Sequence, residues 1–180
     1  MVRVDAKGFP PSIPFDLRKK ARGLSTLAEH ESWMRQALDL AREAAAAGEV
    51  PVGALVVRQG RVLARARNER EGAHDPTAHA EILALRRAGQ ALGGWQLTGC
   101  TVYVTLEPCP MCASALAQAR PSLVVFGAFD EQMGGMGSVY ALNLDERLHS
   151  AVPALGGVLA EDCRRELSAF FQARRENRPT

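Results

Sequence analysis

Hydrophobic positions along this chain switch between a helical and a strand period. Met34, Leu38, Ala41 and Ala45 recur at helical spacing and Gly48 is a natural stop, which predicts a first helix packing one face on a sheet. Val52–Val57 and Arg61–Arg67 then flank Gln59-Gly60, a hairpin signal; the second of these strands alternates arginine with apolar residues, so one of its faces should be wet. A helix is expected from about Thr77 to Ala88, a strand over Thr101–Leu106 after the break at Gly93-Gly94, and a further helix from about Cys109 to Ala119. Leu123-Val124-Val125-Phe126 is apolar without interruption and reads as a strand buried on both faces. The last periodic segment, about Ala160 to Glu176, predicts an amphipathic helix with Leu167, Phe170 and Phe171 toward the body and arginines outward. Strands and helices in alternation argue for an α/β layered domain whose sheet is at least partly parallel.

Residues 1–26 break this pattern. They carry Pro10, Pro11, Pro14 and the basic cluster Arg18, Lys19, Lys20 and Arg22 with little periodicity, and read as a poorly ordered arm ahead of one catalytic domain over residues 27–180. With 180 residues, 47% of them hydrophobic, the chain has material for one well-buried domain. Four cysteines do not suggest a disulfide framework, and no stretch approaches the roughly 18 apolar residues of a membrane span, so a protein of a reducing, cytoplasmic compartment is expected. Net charge is +2, but basic residues gather near both ends, including Arg164, Arg165, Arg174, Arg175 and Arg178. Clustered arginine is an electrostatic footprint of nucleic-acid binding, and equally of a solvated helix face.

Candidate chemistry is concentrated in two short motifs, His79-Ala80-Glu81 and Pro108-Cys109-Pro110-Met111-Cys112. Imidazole nitrogen and thiolate sulfur suit zinc, and three such ligands leave the fourth tetrahedral position open for a water, whose pKa the metal lowers to about 7. His79, Cys109 and Cys112 would be the ligands, with Glu81 left free to carry protons. Residues two apart in mid-helix point in nearly opposite directions, so His79 and Glu81 converge only if the metal lies just beyond a helix start. Asp75-Pro76-Thr77 supplies cap and first-turn chemistry there, and Pro108 plays a similar part ahead of Cys109. In this order the motifs match the signature of zinc nucleobase deaminases. A structural zinc site would need a fourth protein ligand, for which neither Cys100 nor Cys163 is suitably placed. The glycine-rich run Phe129–Ser138 permits close backbone approach to a ligand, or serves as a simple connection.

Beyond these motifs, Val50-Pro51-Val52-Gly53-Ala54, Asn68, His74–Glu81, Val104–Cys112, Val125–Ala128, Asp130, Gly137-Ser138 and Phe170-Phe171 closely resemble the bacterial tRNA-specific adenosine deaminases. The resemblance runs from about Ala28 to Arg175. It implies a cytidine-deaminase-like three-layer α/β/α sandwich around a mixed sheet of about five strands, and a cytoplasmic homodimer with one zinc per subunit. The implied reaction converts adenosine to inosine at the wobble position of an arginine tRNA, on its anticodon stem-loop. By the same resemblance His79, Cys109 and Cys112 hold zinc and Glu81 shuttles protons. Asn68, Ala80, Asp130 and Ser138 contact the substrate, and Phe171, Arg174 and Arg175 are RNA contacts. The chain departs from the family pattern at Leu148-His149-Ser150, and Pro153 interrupts the last strand candidate, which should therefore be short or at an edge. Two other readings remain open from the motifs: a free-base purine deaminase acting on guanine, whose family shares them, and a non-catalytic zinc-containing RNA-binding subunit, which would be expected to have lost Glu81.

Overall fold

The computed structural model describes residues 26–145, 147 and 151–176; the arm expected over residues 1–26 therefore falls outside it except for Thr26, and so do Leu148, His149 and Ser150. Helix α1 (Leu27–Ala46) begins at Thr26, whose hydroxyl accepts from Glu29 N while the Glu29 carboxylate accepts from Thr26 N. This reciprocal capping satisfies two of the N–H groups that a helix start leaves open. After α1 come β1 (Gly53–Arg58) and β2 (Arg61–Arg67), then α2 (Ala80–Leu92), β3 (Cys100–Leu106), α3 (Pro110–Ala119), β4 (Leu123–Ala128), β5 (Ala154–Leu155) and α4 (Ala160–Glu176).

The five strands form one sheet in the order β2-β1-β3-β4-β5. β1 runs antiparallel to both neighbours, and β3, β4 and β5 are mutually parallel. It follows that β2 points the same way as β3, so the chain leaves both strands at one edge of the sheet. The loop to α2 and the loop to α3 start from that edge, where open α/β sheets bind ligands.

Side-chain alternation along the strands makes the three layers. Ala54, Val56, Val102, Val104, Val124 and Phe126 bury against Ala80, Ala84 and Ala88 of α2 and Ala113 and Leu116 of α3. Leu55, Val57, Tyr103 and Val125 point to the other face, onto Met34, Ala37 and Leu38 of α1 and Cys163 of α4. Contact between α1 and β1 is close because residue 53 is glycine: a Cβ there would lie 2.1 Å from Ala37 O. The three-layer sandwich and its five-stranded mixed sheet are thus as expected, and β4 is buried on both faces.

Two expectations need correction, and a third, that the last strand is short or at an edge, is met with Pro153 placed just ahead of it. α2 begins at Ala80, three residues later than Thr77, because Asp75 Oδ1 accepts from both Thr77 N and Thr77 Oγ1 (2.7 Å each) and closes a turn of its own. Pro153 precedes the last strand rather than interrupting it: its carbonyl accepts from Val124 N at 2.9 Å and a two-residue edge strand follows. Phe171 does not face the body; it is 45% exposed, whereas Leu167 does pack on the core and Phe170 is half-buried.

Candidate metal centre and active site

His79 and Cys109 are the N-cap residues of α2 and α3, both in extended backbone conformation and neither spending its side chain on a cap hydrogen bond. Pro110 opens α3, where its missing N–H costs nothing. The two helix starts face each other, with His79 Nδ1 3.8 Å from Cys109 Sγ and 3.6 Å from Cys112 Sγ. All three ligand atoms lie within 4.8 Å of one another, and among the described residues no other cluster of His, Cys, Asp or Glu could hold a metal ion. In a tetrahedral zinc site, bonds of about 2.0 Å to nitrogen and 2.3 Å to sulfur put those atoms about 3.5 Å apart. The donor set therefore fits such an ion in both chemistry and spacing.

Electrostatics favour the same use. Cys109 is pushed down to about 4, first by a hydrogen bond from Cys112 and then by His79. Cys112 is pushed up by that shared hydrogen bond, by burial and by the neighbouring Glu81 carboxylate. His79 is raised, chiefly through its hydrogen bond with Cys109. The opposed shifts of the two thiols leave Cys109 the readier thiolate of the pair. The positive ends of two helices favour thiolate further. Glu81, second residue of α2, is 4% exposed and has its carboxyl raised above the ordinary range, first by burial and against the pull of His79. Burial thus favours the protonated carboxyl more than it would be favoured in water, which suits a group that has to carry a proton.

The other expected site residues distribute unevenly. Ala80 is fully buried as the first residue of α2, beside the ligand His79. Asn68 directly follows β2 and is buried, with Asn68 N donating to Val52 O and the next residue, Glu69, donating to Ala78 O just ahead of His79. Asp130 and Ser138 lie in the loop after β4, but their side chains are engaged in holding that loop, Asp130 within it and Ser138 to Glu107 after β3. Asp130 Oδ1 accepts from Gln132 N and Met133 N, and Ser138 Oγ donates to Glu107. Phe171, Arg174 and Arg175 lie near the end of α4, in the layer across the sheet from α2 and α3, and do not join the His–Cys–Cys group.

Two buried carboxylates escaped the sequence reading. Glu107, 1% exposed, accepts from the main-chain N–H groups of Asp130, Met136 and Ser138, so the glycine-rich loop is folded around it. Gly134 packs so close that a Cβ would lie 2.5 Å from Glu107 Oε2, and Gly135 N donates to Pro108 O. The close approach allowed by these glycines is thus to Glu107 and Pro108. Glu49, 3% exposed, accepts from Asn68 Nδ2, Glu71 N and Gly72 N. A charged residue inside the apolar run Gly48–Val52 was the available signal for Glu49; nothing local marked Glu107 apart from its place before Pro108.

An α/β sandwich with a histidine–cysteine–cysteine group and a buried glutamate at the strand ends defines a deaminase, and residues 28–157 match the family described as MafB19-like deaminase. The chain is 45% identical to the tRNA-specific adenosine deaminase of Bacillus subtilis over 84% of this chain and 94% of that protein, and 44% identical to the Haemophilus influenzae protein of the same name over 82% and 86%. A solved structure from studies of A-to-I editing by tRNA:A34 deaminases at the wobble position superposes with a TM-score of 0.73 at 40% identity, covering 76% of this chain and 99% of that one. The chain belongs to the tRNA-specific adenosine deaminase family. A guanine deaminase from Nitrosomonas europaea shares the fold, with a TM-score of 0.69 at 24% identity over 78% and 83% of the two chains.

Proposed function

We propose that this protein deaminates adenosine to inosine at the wobble position of a tRNA, with an arginine tRNA as the expected substrate and one zinc ion per subunit held by His79 Nδ1, Cys109 Sγ and Cys112 Sγ. The observation that carries the reading is the pairing of that three-ligand group with a buried Glu81, in a chain 45% identical to a tRNA-specific adenosine deaminase. When bound, zinc supplies an activated water as nucleophile for C6 of the purine. The protein's part is proton transfer and orientation. Glu81 takes a proton from the attacking water and delivers it to the ring nitrogen, then takes a second from the hydroxyl added at C6 and gives it to the amine, which leaves as ammonia while C6 becomes a carbonyl. Burial favours its neutral form while a neighbouring cation favours the ionised one, and these opposed effects suit a group that must cycle between them. Asn68 and the backbone at Ala80 hold the nucleoside, while Asp130 and Ser138 act through the loop they brace. Arg174 and Arg175, with exposed Phe171, meet the RNA.

The setting is the cytoplasm and the assembly a homodimer. No helix among the described residues is long and apolar enough to cross a membrane. A mostly apolar groove of about 750 Å³ runs between α2 and α3, lined by Ile82, Leu85, Trp95, Ala115 and Ala119 among others, and offers a face for a second copy.

The test incubates the purified protein with an anticodon stem-loop carrying the wobble adenosine and, separately, with free guanine. Inosine in the RNA without xanthine from guanine is expected. Xanthine without inosine would move the protein to purine salvage, and neither product would favour the binding-subunit reading. Cys109→Ala, assayed alongside, should lose its zinc and a large part of its folding stability, because ligand loss is coupled to folding; full metal content in that variant would refute the ligand set.

A further inference from the structure

The buried carboxylate of Glu49 lies outside the proton chemistry, yet three N–H groups converge on it. Gly72 N donates to Oε1 at 2.7 Å, while Asn68 Nδ2 and Glu71 N donate to Oε2 at 3.0 and 3.1 Å. All three partners are donors, and the two carboxyl oxygens have the acceptor capacity to serve them together. Asn68 has two N–H bonds and one carbonyl on its amide. Glu49 takes one N–H, and no described residue donates to Asn68 Oδ1, which leaves one donor and one acceptor of the same amide free.

We infer that Glu49 is a positioning residue for the deamination: it tethers the Asn68 amide so that its remaining N–H and its carbonyl are presented to the reacting nucleoside. The inference rests on the proposed contact between Asn68 and that nucleoside. An amide presented in this way matches the acceptor and donor pair on the purine edge of adenine, N7 and the exocyclic N6 amine. The same carboxylate braces Glu71 and Gly72, part of the loop that leads from β2 to His79, so the nucleoside-reading amide and the entry to α2 share one anchor. An untethered asparagine would have to be oriented by the substrate itself, and that cost falls on the step in which geometry matters most.

Four zinc-loaded variants test this on the wobble-adenosine stem-loop: Glu49→Met, which keeps volume and removes both acceptors, Glu49→Gln, Asn68→Ala, and Glu49→Met combined with Asn68→Ala. Zinc content and thermal midpoint are followed throughout. Glu49→Met is expected to lower kcat/KM about tenfold or more, mainly through kcat, with zinc retained. Glu49→Gln should fall between it and the parent, because one side-chain oxygen can still accept from Asn68. Asn68→Ala should cost about as much as Glu49→Met, and the double variant should cost little more than Asn68→Ala alone. Full additivity in the double variant, or parental kcat/KM in Glu49→Met, overturns the inference while leaving the proposed reaction standing. If Glu49→Met does not fold, Glu49→Gln decides in its place: a loss of kcat/KM smaller than that of Asn68→Ala supports the tether, and parental kcat/KM overturns it. A neutral Asn68→Ala removes the nucleoside contact and the inference with it. An inactive parent on the stem-loop brings down the proposed function itself.

Discussion

Glu81 and His79 are two positions apart, and the proposed mechanism gives them opposite tasks, one moving protons and the other giving an electron pair to a metal. That division works because His79 is the cap of α2 and Glu81 lies inside its first turn, so the helix start turns both toward one point. Removing the carboxylate should leave the three ligand atoms as they are. Glu81→Ala is therefore expected to keep its zinc and to lose turnover by at least about a hundredfold, the usual range for a positioned acid–base group. Metal analysis and single-turnover inosine formation on one preparation check this, and turnover near the parental rate would sink the mechanism. Each of these residues could be read from the chain because side-chain type and spacing alone specify the donor set. Glu49 and Glu107 could not, since most of their partners are main-chain N–H groups on loops up to 31 residues away, and backbone donors carry no residue-type signal.

Periodicity located the four α-helices and the first four strands at the level of elements, while the two-residue β5 and the element boundaries followed local chemistry that periodicity does not register. The start of α2 is the clearest case: Asp75, Pro76 and Thr77 have the composition of a helix start, and Asp75 uses it to close a separate turn. α4 shows the complementary limit. Adjacent phenylalanines cannot both face the core of a helix packed along one side, so Phe170 goes partly in and Phe171 goes out. Gly53 was legible as part of a family-like run but not as a packing contact, which depends on how closely α1 crosses β1. Gly53→Ala puts a methyl against Ala37 O and Ala41 N and should destabilise the fold by about 1–3 kcal/mol or more, read as a lower denaturant midpoint with an unchanged slope. Parental stability would show that α1 can shift to make room.

Across the whole molecule, charge matters by location rather than by sum. Arg164 and Arg165 are paired with Glu161 and Asp162 on their own helix, whereas no described carboxylate pairs with Arg174 or Arg175 at its end. On this helix they are the described arginines without an ion pair, which is what the proposed contact with RNA phosphates requires. Replacing both with alanine should raise KM for the stem-loop, leave kcat and zinc content nearly unchanged, and flatten the salt dependence of binding by about 1.4 to 1.8 in logarithmic slope. An unaltered salt slope would place the RNA on another surface.

The outer margins of the sheet bear on what the molecule can do with its own copies. Unpaired strand margins invite further strands, and with them fibrous self-association. At one margin β5 is two residues long, too short to template a partner. At the other, β2 carries Arg61, Arg65 and Arg67, and Arg87 from α2 donates to the Arg65 carbonyl at 2.7 Å, occupying a group that an added strand would need. Among the described residues both margins thus disfavour sheet extension, and the proposed homodimer would meet through its helices, where a closed pair can form without growing into an open-ended stack.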